Sequence, residues 1–116
     1  MATAFASLAA RIRACDASLF SKRVWLAMLR IPKGKVATYQ TIASLAGSPR
    51  ASRAVGNACN ANPFAPGVPC HRVVASNGKL GGYAFGPAKK IAVLKSEGIR
   101  VRGNTIVDFE KVLFNK

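Results

Sequence analysis

Apolar residues recur at helical spacing along much of the chain and gather into short continuous runs between. Near the N-terminus Phe5, Leu8, Ala9 and Ile12 fall on one helical face. The same Ala-, Ser- and Arg-rich stretch also has the composition of a transit peptide, the less favoured reading. Residues 24–30, VWLAMLR, predict a short buried helix closed by Ile31-Pro32 and a Lys33-Gly34-Lys35 turn. Val36 and Ala37 read as extended. Thr38 is then a natural N-cap for a helix through Tyr39, Ile42, Ala43 and Leu45, with Gly47 at its stop. Ser48 as N-cap and Pro49 at the first helical position predict a second helix, carrying Arg50, Arg53, Ala54, Val55 and Gly56 and ending before Asn62-Pro63. Residues 68–74, VPCHRVV, read as an apolar strand, with turns at Asn77-Gly78 and Gly81-Gly82-Tyr83. Pro87 opens a helix over 87–97 with Ile91, Val93 and Leu94 inward and Gly98 after it. Residues 99–109 read as two short strands around Arg102-Gly103-Asn104.

Two short helices joined through Gly47 and Ser48 form a helix-turn-helix pattern, and a C-terminal pair of strands would serve as its wing. The fold class expected is mainly α with short strands, a winged helix-turn-helix. The second helix is built largely of small residues: Ala51, Ser52, Ala54, Gly56 and Ala58. Such a helix offers few side chains to read base edges but lets its backbone approach a narrow space, which predicts recognition of shape over sequence. The 116 residues are enough for one domain. Residues 1–19 read as a helical extension and 20–116 as the domain itself.

Charge then narrows the partner. Eighteen Lys and Arg against four acids, Asp16, Glu97, Asp108 and Glu110, leave a formal charge of +14. A compact state carrying that charge repels itself, and a polyanion offsets the repulsion. DNA or RNA leads, with an anionic membrane surface as the competitor. The cations are spread along the chain, so the partner is expected to meet a folded face. No apolar run reaches membrane-spanning length. Three cysteines, Cys15, Cys59 and Cys70, without a CxxC pair, argue for reduced thiols inside a cell. A zinc site from these and His71 lacks any usual ligand spacing, so no metal is expected.

Chemistry concentrates where Cys70 precedes the chain's single histidine, His71, between Pro69 and Arg72. A neighbouring imidazole and cations favour the thiolate, the reactive form; a buried structural cysteine is the alternative. On a strand the two side chains would point to opposite faces and need a local bend or a bridging water to communicate. Glu97 ends a helix where a cation would suit the dipole. It reads either as a carboxylate orienting the imidazole or as an exposed acid pairing with Lys90 or Lys95. Arg53 reads as a solvated charge or a probe into DNA, and Tyr39 as core or as a phosphate contact.

At this point the chain resembles a known family. FSKRVW (20–25), IPKGKVATYQTIA (31–43), SPRASRAVGNACNANP (48–63), PCHRVV (69–74), NGKLGGY (77–83) and SEG (96–98) occur in the order found in the C-terminal, active domain of the O6-alkylguanine-DNA alkyltransferases. The resemblance implies a DNA-repair protein that binds the minor groove of double-stranded DNA, flips the damaged base and takes its alkyl group onto Cys70, once per molecule. It implies that His71 activates Cys70 through a water, that Glu97 orients His71, and that Asn62 fixes the active-site turn. Tyr39 would press on the target phosphate, Arg53 fill the hole left by the flipped base, and Gly56 with Ala51 and Ser52 admit the helix to the groove beside Arg50. Tyr83 would donate to the guanine edge, with Pro69, Val73, Ala84 and Cys59 lining the pocket. It implies no cofactor. A monomer free of membranes, in a prokaryotic cytoplasm or a eukaryotic nucleus, is expected.

Three departures qualify the match. The larger N-terminal domain common in the family has no counterpart in these residues, so a minimal active domain is expected. Ala84 and Phe85 follow Tyr83 where the family often has Ser and Gly; the backbone amide can still donate to O6, while Phe85 is expected to narrow the pocket or alter its loop. Cys59 stands where larger residues are common, leaving room in the pocket wall. The size is also that of the alkyltransferase-like proteins, which sense O6-alkylguanine without repairing it and carry Trp or Ala at the acceptor position; here that position is Cys70. A damage sensor is therefore the second reading, and a sequence-specific or nucleoid winged-helix protein the third.

Overall fold

Six helices and two small sheets are built around the segment that carries Cys70 among the described residues of a computed structural model. The structure describes residues 2–65 and 67–114, with side chains from residue 8 onward; the expectation for Phe5 falls outside the described side chains. Helix α1 spans Ala2–Ala14 and helix α2 Leu19–Met28, five residues earlier than the apolar pattern suggests. The earlier start is set by Ser18, whose side chain accepts from the Ser21 amide and caps the helix. Strand β1 is Ala37–Thr38, and the Thr38 side chain accepts from the Thr41 amide at 3.0 Å, capping helix α3, Tyr39–Leu45. Gly47 then takes φ +87°, the left-handed stop.

Helix α4 begins at Ser52 and runs to Asn60, so Ser48 and Pro49 do not open it as expected. The Ser48 amide instead bonds back to Ala43 O, and the Ala51 amide to Ser48 O, so residues 48–51 make a turn. The pair α3–α4 with α2 against it is a helix-turn-helix, and the Trp25 indole ties α2 to α4 by donating to Ala58 O at 2.9 Å. The expected strand over 68–74 is the second correction. Cys70–Arg72 form a single 3₁₀ turn, and only Val73–Val74 are extended as strand β2, pairing parallel with β1 (Ala37 opposite Val73). Pro69 cannot donate to a ladder, which is the local reason a strand does not form there.

Helix α5, Pro87–Ser96, starts on its proline. Leu94 is buried and Ile91 packs half-buried against the core, as expected, whereas Val93 is only half-buried and Lys90 is buried in addition. Strands β3 (Val101–Arg102) and β4 (Thr105–Ile106) form the antiparallel wing, and helix α6 spans Phe109–Val112. Two apolar clusters result. One joins Ile12, Trp25, Met28, Ile42, Val55, Cys70 and Val73; the other joins Val36, Val74, Leu80, Leu94, Ile99 and Ile106. The Cys70–Val74 segment lies at their seam and is held from both sides.

Candidate functional site

Cys70 and His71 stand in one buried 3₁₀ turn, a local bend where a strand was expected. Cys70 is 3% exposed and His71 2%. The Cys70 amide donates to Val68 O at 2.9 Å, and Val68 O also accepts from Asn62 Nδ2 at 2.9 Å. Asn62 Oδ1 in turn accepts from the Phe64 amide at 2.8 Å, so one side chain closes the loop that leads into the turn. Burial raises the Cys70 thiol above its ordinary value. The Asn62 amide, the Lys90 ammonium and the Cys70 and His71 amides act in the opposite sense and favour the thiolate. The defined hydrogen bond of Asn62 is nevertheless the one to Val68 O, so its influence on the sulfur is that of a nearby dipole.

Glu97, the C-cap of α5, faces this turn. Its Oε2 lies 3.1 Å from His71 Nε2, while Arg72 grips both carboxylate oxygens (Nε to Oε1 2.9 Å, a terminal nitrogen to Oε2 2.7 Å) and donates to Ile31 O at 2.9 Å. Neither Lys90 nor Lys95 pairs with it. Burial pushes the Glu97 carboxyl up, but the bonds from Arg72 and His71 outweigh burial and hold it below the usual carboxylate value. An ionised Glu97 accepts from Nε2–H, which leaves Nδ1 as the lone-pair nitrogen. Nδ1 is buried and has no hydrogen-bond partner among the described residues. Burial also lowers the imidazole pKa, against the pull of Glu97, so the ring is neutral near pH 7 and can accept a proton.

Lys90 is a part of the site that sequence reading missed. Its side chain is fully buried, and Nζ donates to Val73 O at 2.7 Å, Leu80 O at 2.5 Å and Gly82 O at 3.0 Å. Burial lowers it to about 8, with Cys59 and Cys70 pulling the other way, so it remains charged at neutral pH. One ammonium thus ties β2 to the loop carrying Tyr83 and places a cation near the thiol. The available signal was its i, i+4 relation to the buried Leu94. Arg72 was missed as well, although it sits one residue from His71.

The Tyr83 loop completes the pocket side. Tyr83 is half-buried and meets Phe85 edge-on at 5.4 Å; with Lys89 and Val93 these rings line an apolar hollow of about 320 Å³. Burial first, then the nearby Cys70, raise the Tyr83 hydroxyl, which keeps it a proton donor. Tyr39 reaches the same loop: its hydroxyl donates to Gly82 O at 3.4 Å and is pushed up to about 12 by burial and Cys59. A Cβ at Gly81 would stand 2.6 Å from that hydroxyl, and φ there is +71°, so only glycine fits. Cys59 is buried with Sγ 3.7 Å from Met28 Sδ, Pro69 is buried beside Cys70, Ala84 is exposed, and the Val73 side chain lies in the core.

Arg50 and Arg53 are exposed at the start of α4, where Ser52 donates to Gln40 Oε1 at 3.4 Å and Ala51 occupies the N-cap without a side-chain bond. Gly56 faces Tyr39, 4.0 Å from the Cβ position. The structure therefore gathers Cys70, His71, Glu97, Asn62, Tyr83 and Tyr39 around one turn and leaves Arg50 and Arg53 on the outer surface of α4. A further hollow of about 520 Å³, against Arg23, Leu26, Arg30, Leu45 and Gly47, includes none of these residues. Among the described residues no three His, Cys, Asp or Glu side chains converge as metal ligands, and no helix is long and apolar enough to cross a membrane.

Residues 19–99 match the family model of the 6-O-methylguanine DNA methyltransferase DNA binding domain. The methylated-DNA–protein-cysteine methyltransferase of Methanosarcina acetivorans is 56% identical over 79 residues, 68% of this chain and 51% of that protein. An OGT of Mycobacterium tuberculosis, solved in complex with DNA, is similar with TM-score 0.69 and 48% identity over 71% of this chain and 51% of that one. Atl1 of S. pombe, solved with damaged DNA containing O6-carboxymethylguanine, is similar with TM-score 0.74 and 28% identity over 88% of this chain and 100% of that one. The chain spans about half the length of the curated methyltransferases it matches.

Proposed function

This chain belongs to the 6-O-methylguanine DNA methyltransferase family, and on that premise we propose that it repairs DNA by moving an alkyl group from O6-alkylguanine directly to Cys70. The observation that carries the reading is His71, next to Cys70 in the same buried turn, with Nε2 engaged by Glu97 and Nδ1 buried and unpartnered among the described residues. Nδ1 takes the thiol proton through a water. The thiolate attacks the alkyl carbon, a C–S bond forms, and the C–O bond breaks with its electrons leaving on guanine. Tyr83 donates a proton to that guanine, and the proton held on His71 replaces it. In net terms the thiol proton ends on guanine and the alkyl group on sulfur. The thioether has no route back to thiolate, so each molecule acts once.

Delivery of the base follows from α4. Its small face, Ala51, Ser52 and Gly56, enters the minor groove; Arg53 fills the space left by the flipped nucleotide, offsetting part of the few kcal/mol that extrusion costs. Tyr39 presses on the target phosphate, and Arg50 and the remaining cations of the +14 chain supply sequence-blind affinity. Cys70 is 3% exposed, and a base seated beside Tyr83, with Pro69, Cys59 and Ala84 around it, brings its alkyl group to the sulfur far faster than a small reagent arriving from solvent. Cys59 and the exposed Phe85 then set the size of alkyl group accepted.

A second reading, a damage sensor, is favoured by the match to the whole length of Atl1; the thiol at Cys70 speaks for transfer. Wild type and Cys70→Ala, each mixed with a duplex carrying one O6-methylguanine, separate them. Transfer requires stoichiometric restoration of guanine by wild type and none by Cys70→Ala, which still prefers the damaged duplex. Preferential binding by wild type without restoration leaves the sensor.

A further inference from the structure

Helix α1 precedes the family match, which starts at residue 19, yet it touches the loop that leads into Cys70. Ile12 anchors it, fully buried in the cluster that contains Trp25 and Cys70. Beyond that anchor, two α1 side chains reach the loop itself. Leu8 Cδ2 comes so near Gly67 that a Cβ there would lie 3.0 Å away and 3.1 Å from Phe64 O, a tight contact that a larger residue would disturb. The Arg11 guanidinium lies over the Phe64 ring, 5.5 Å from its centre, and Phe64 also meets Trp25 edge-on at 5.8 Å. From Phe64 the connection to the site is unbroken: its amide donates to Asn62, its carbonyl accepts from the Val68 amide at 3.1 Å, and Val68 O holds both Asn62 Nδ2 and the Cys70 amide.

We propose that α1 is a positioning element for the reaction of Cys70: Leu8 and Arg11 clamp Gly67 and Phe64, and so hold Asn62 and Val68 where they set the geometry of the Cys70 turn. A helix present only to cover the core would need Ile12 and its neighbours on α2. It would not need an exposed arginine over Phe64 or a leucine methyl set tightly against Gly67. The groups that act on the thiol are Asn62, Lys90, Cys59, Tyr39, Tyr83 and the backbone amides of Cys70 and His71; none comes from α1, so α1 acts through the position of Asn62. The proposal rests on the reading of Cys70 as the acceptor, but the thiol can be read without DNA.

The test uses the full chain with Arg11→Ala and, separately, Leu8→Ala, and Arg11→Lys as the conservative control. Three quantities are measured: alkylation of Cys70 by iodoacetamide against pH, followed by peptide mass spectrometry; single-turnover methyl transfer from O6-methylguanine DNA; and DNA affinity. Arg11→Ala and Leu8→Ala should each move the midpoint of Cys70 alkylation to higher pH and slow transfer about two- to five-fold, the scale of an exposed cation–π contact, with affinity unchanged. Arg11→Lys should restore both. A lowered melting temperature with midpoint and rate unchanged in both alanine variants overturns the proposal and leaves α1 a core cover. If wild type transfers nothing from DNA but the midpoints shift, the repair reading fails and this inference stands.

Discussion

Glu97 Oε2 stands 3.1 Å from His71 Nε2, and it does so while Arg72 grips the same carboxylate through two hydrogen bonds. The arrangement fixes which face of the imidazole is free. Glu97→Gln keeps the shape but loses the charge that Arg72 and His71 both engage, so the tautomer is no longer determined. Transfer should slow on the order of 10²-fold, the scale of a lost positioned base, with DNA affinity unchanged. Single-turnover rates beside binding isotherms check this.

The pH dependence follows from the direction of the His71 shift. Burial lowers its pKa, so the ring stays neutral to lower pH than an ordinary histidine of 6.5. The transfer rate should therefore hold level between pH 7.5 and 6.5, on an approximate scale, and fall only below that range. A rate already halved above pH 6.5 in a single-turnover profile speaks against His71 as the base.

Stability should respond at a different pH. Glu97 is held below its ordinary value of 4.5, so its contribution is fully present above that value and is lost as pH falls through the folded-state value. Urea unfolding between pH 6 and 3 should show a steeper loss for wild type than for Glu97→Gln.

Lys90→Met tests the buried ammonium. Met fills the volume but leaves the Val73, Leu80 and Gly82 carbonyls without their common donor, a loss of about 2–5 kcal/mol. Removing the cation should also raise the Cys70 thiol further. Urea unfolding and the pH midpoint of Cys70 alkylation measure the two effects, and an unmoved midpoint argues against an electrostatic role for Lys90.

Arg53 is exposed, and its side chain makes no hydrogen bond or ion pair among the described residues, so Arg53→Ala should leave stability within about 0.5 kcal/mol. It should reduce the preference for damaged over intact duplex, with a smaller change in intact-duplex affinity. Equal losses on both duplexes make Arg53 only a phosphate contact.

Local signals in the chain carried the helices well. Thr38 caps α3, Gly47 stops it and Pro87 starts α5, because each acts within one turn of its own position. Ser48-Pro49 misled, since the same residue types also build turns, and the Ser48 amide found its partner on Ala43, back in α3. The 3₁₀ turn at Cys70 was hidden inside an apolar run whose composition suits a strand. Its shape comes from contacts distant in sequence: Asn62 eight residues earlier, Arg72 and His71 to Glu97 twenty-five and twenty-six residues apart. For Lys90 the only local signal, its i, i+4 relation to Leu94, is outweighed because a lysine on an amphipathic helix is ordinarily solvated, and only the three carbonyls brought by β2 and the Tyr83 loop make its burial tolerable.

The most direct measurement is peptide mass spectrometry of the protein after mixing at equal concentration with a duplex bearing one O6-methylguanine. The account predicts one added methyl group, on the peptide containing Cys70, in step with guanine restored in the DNA. Guanine restored while Cys70 stays unmodified, or a methyl group found on Cys15 or Cys59 instead, would contradict it.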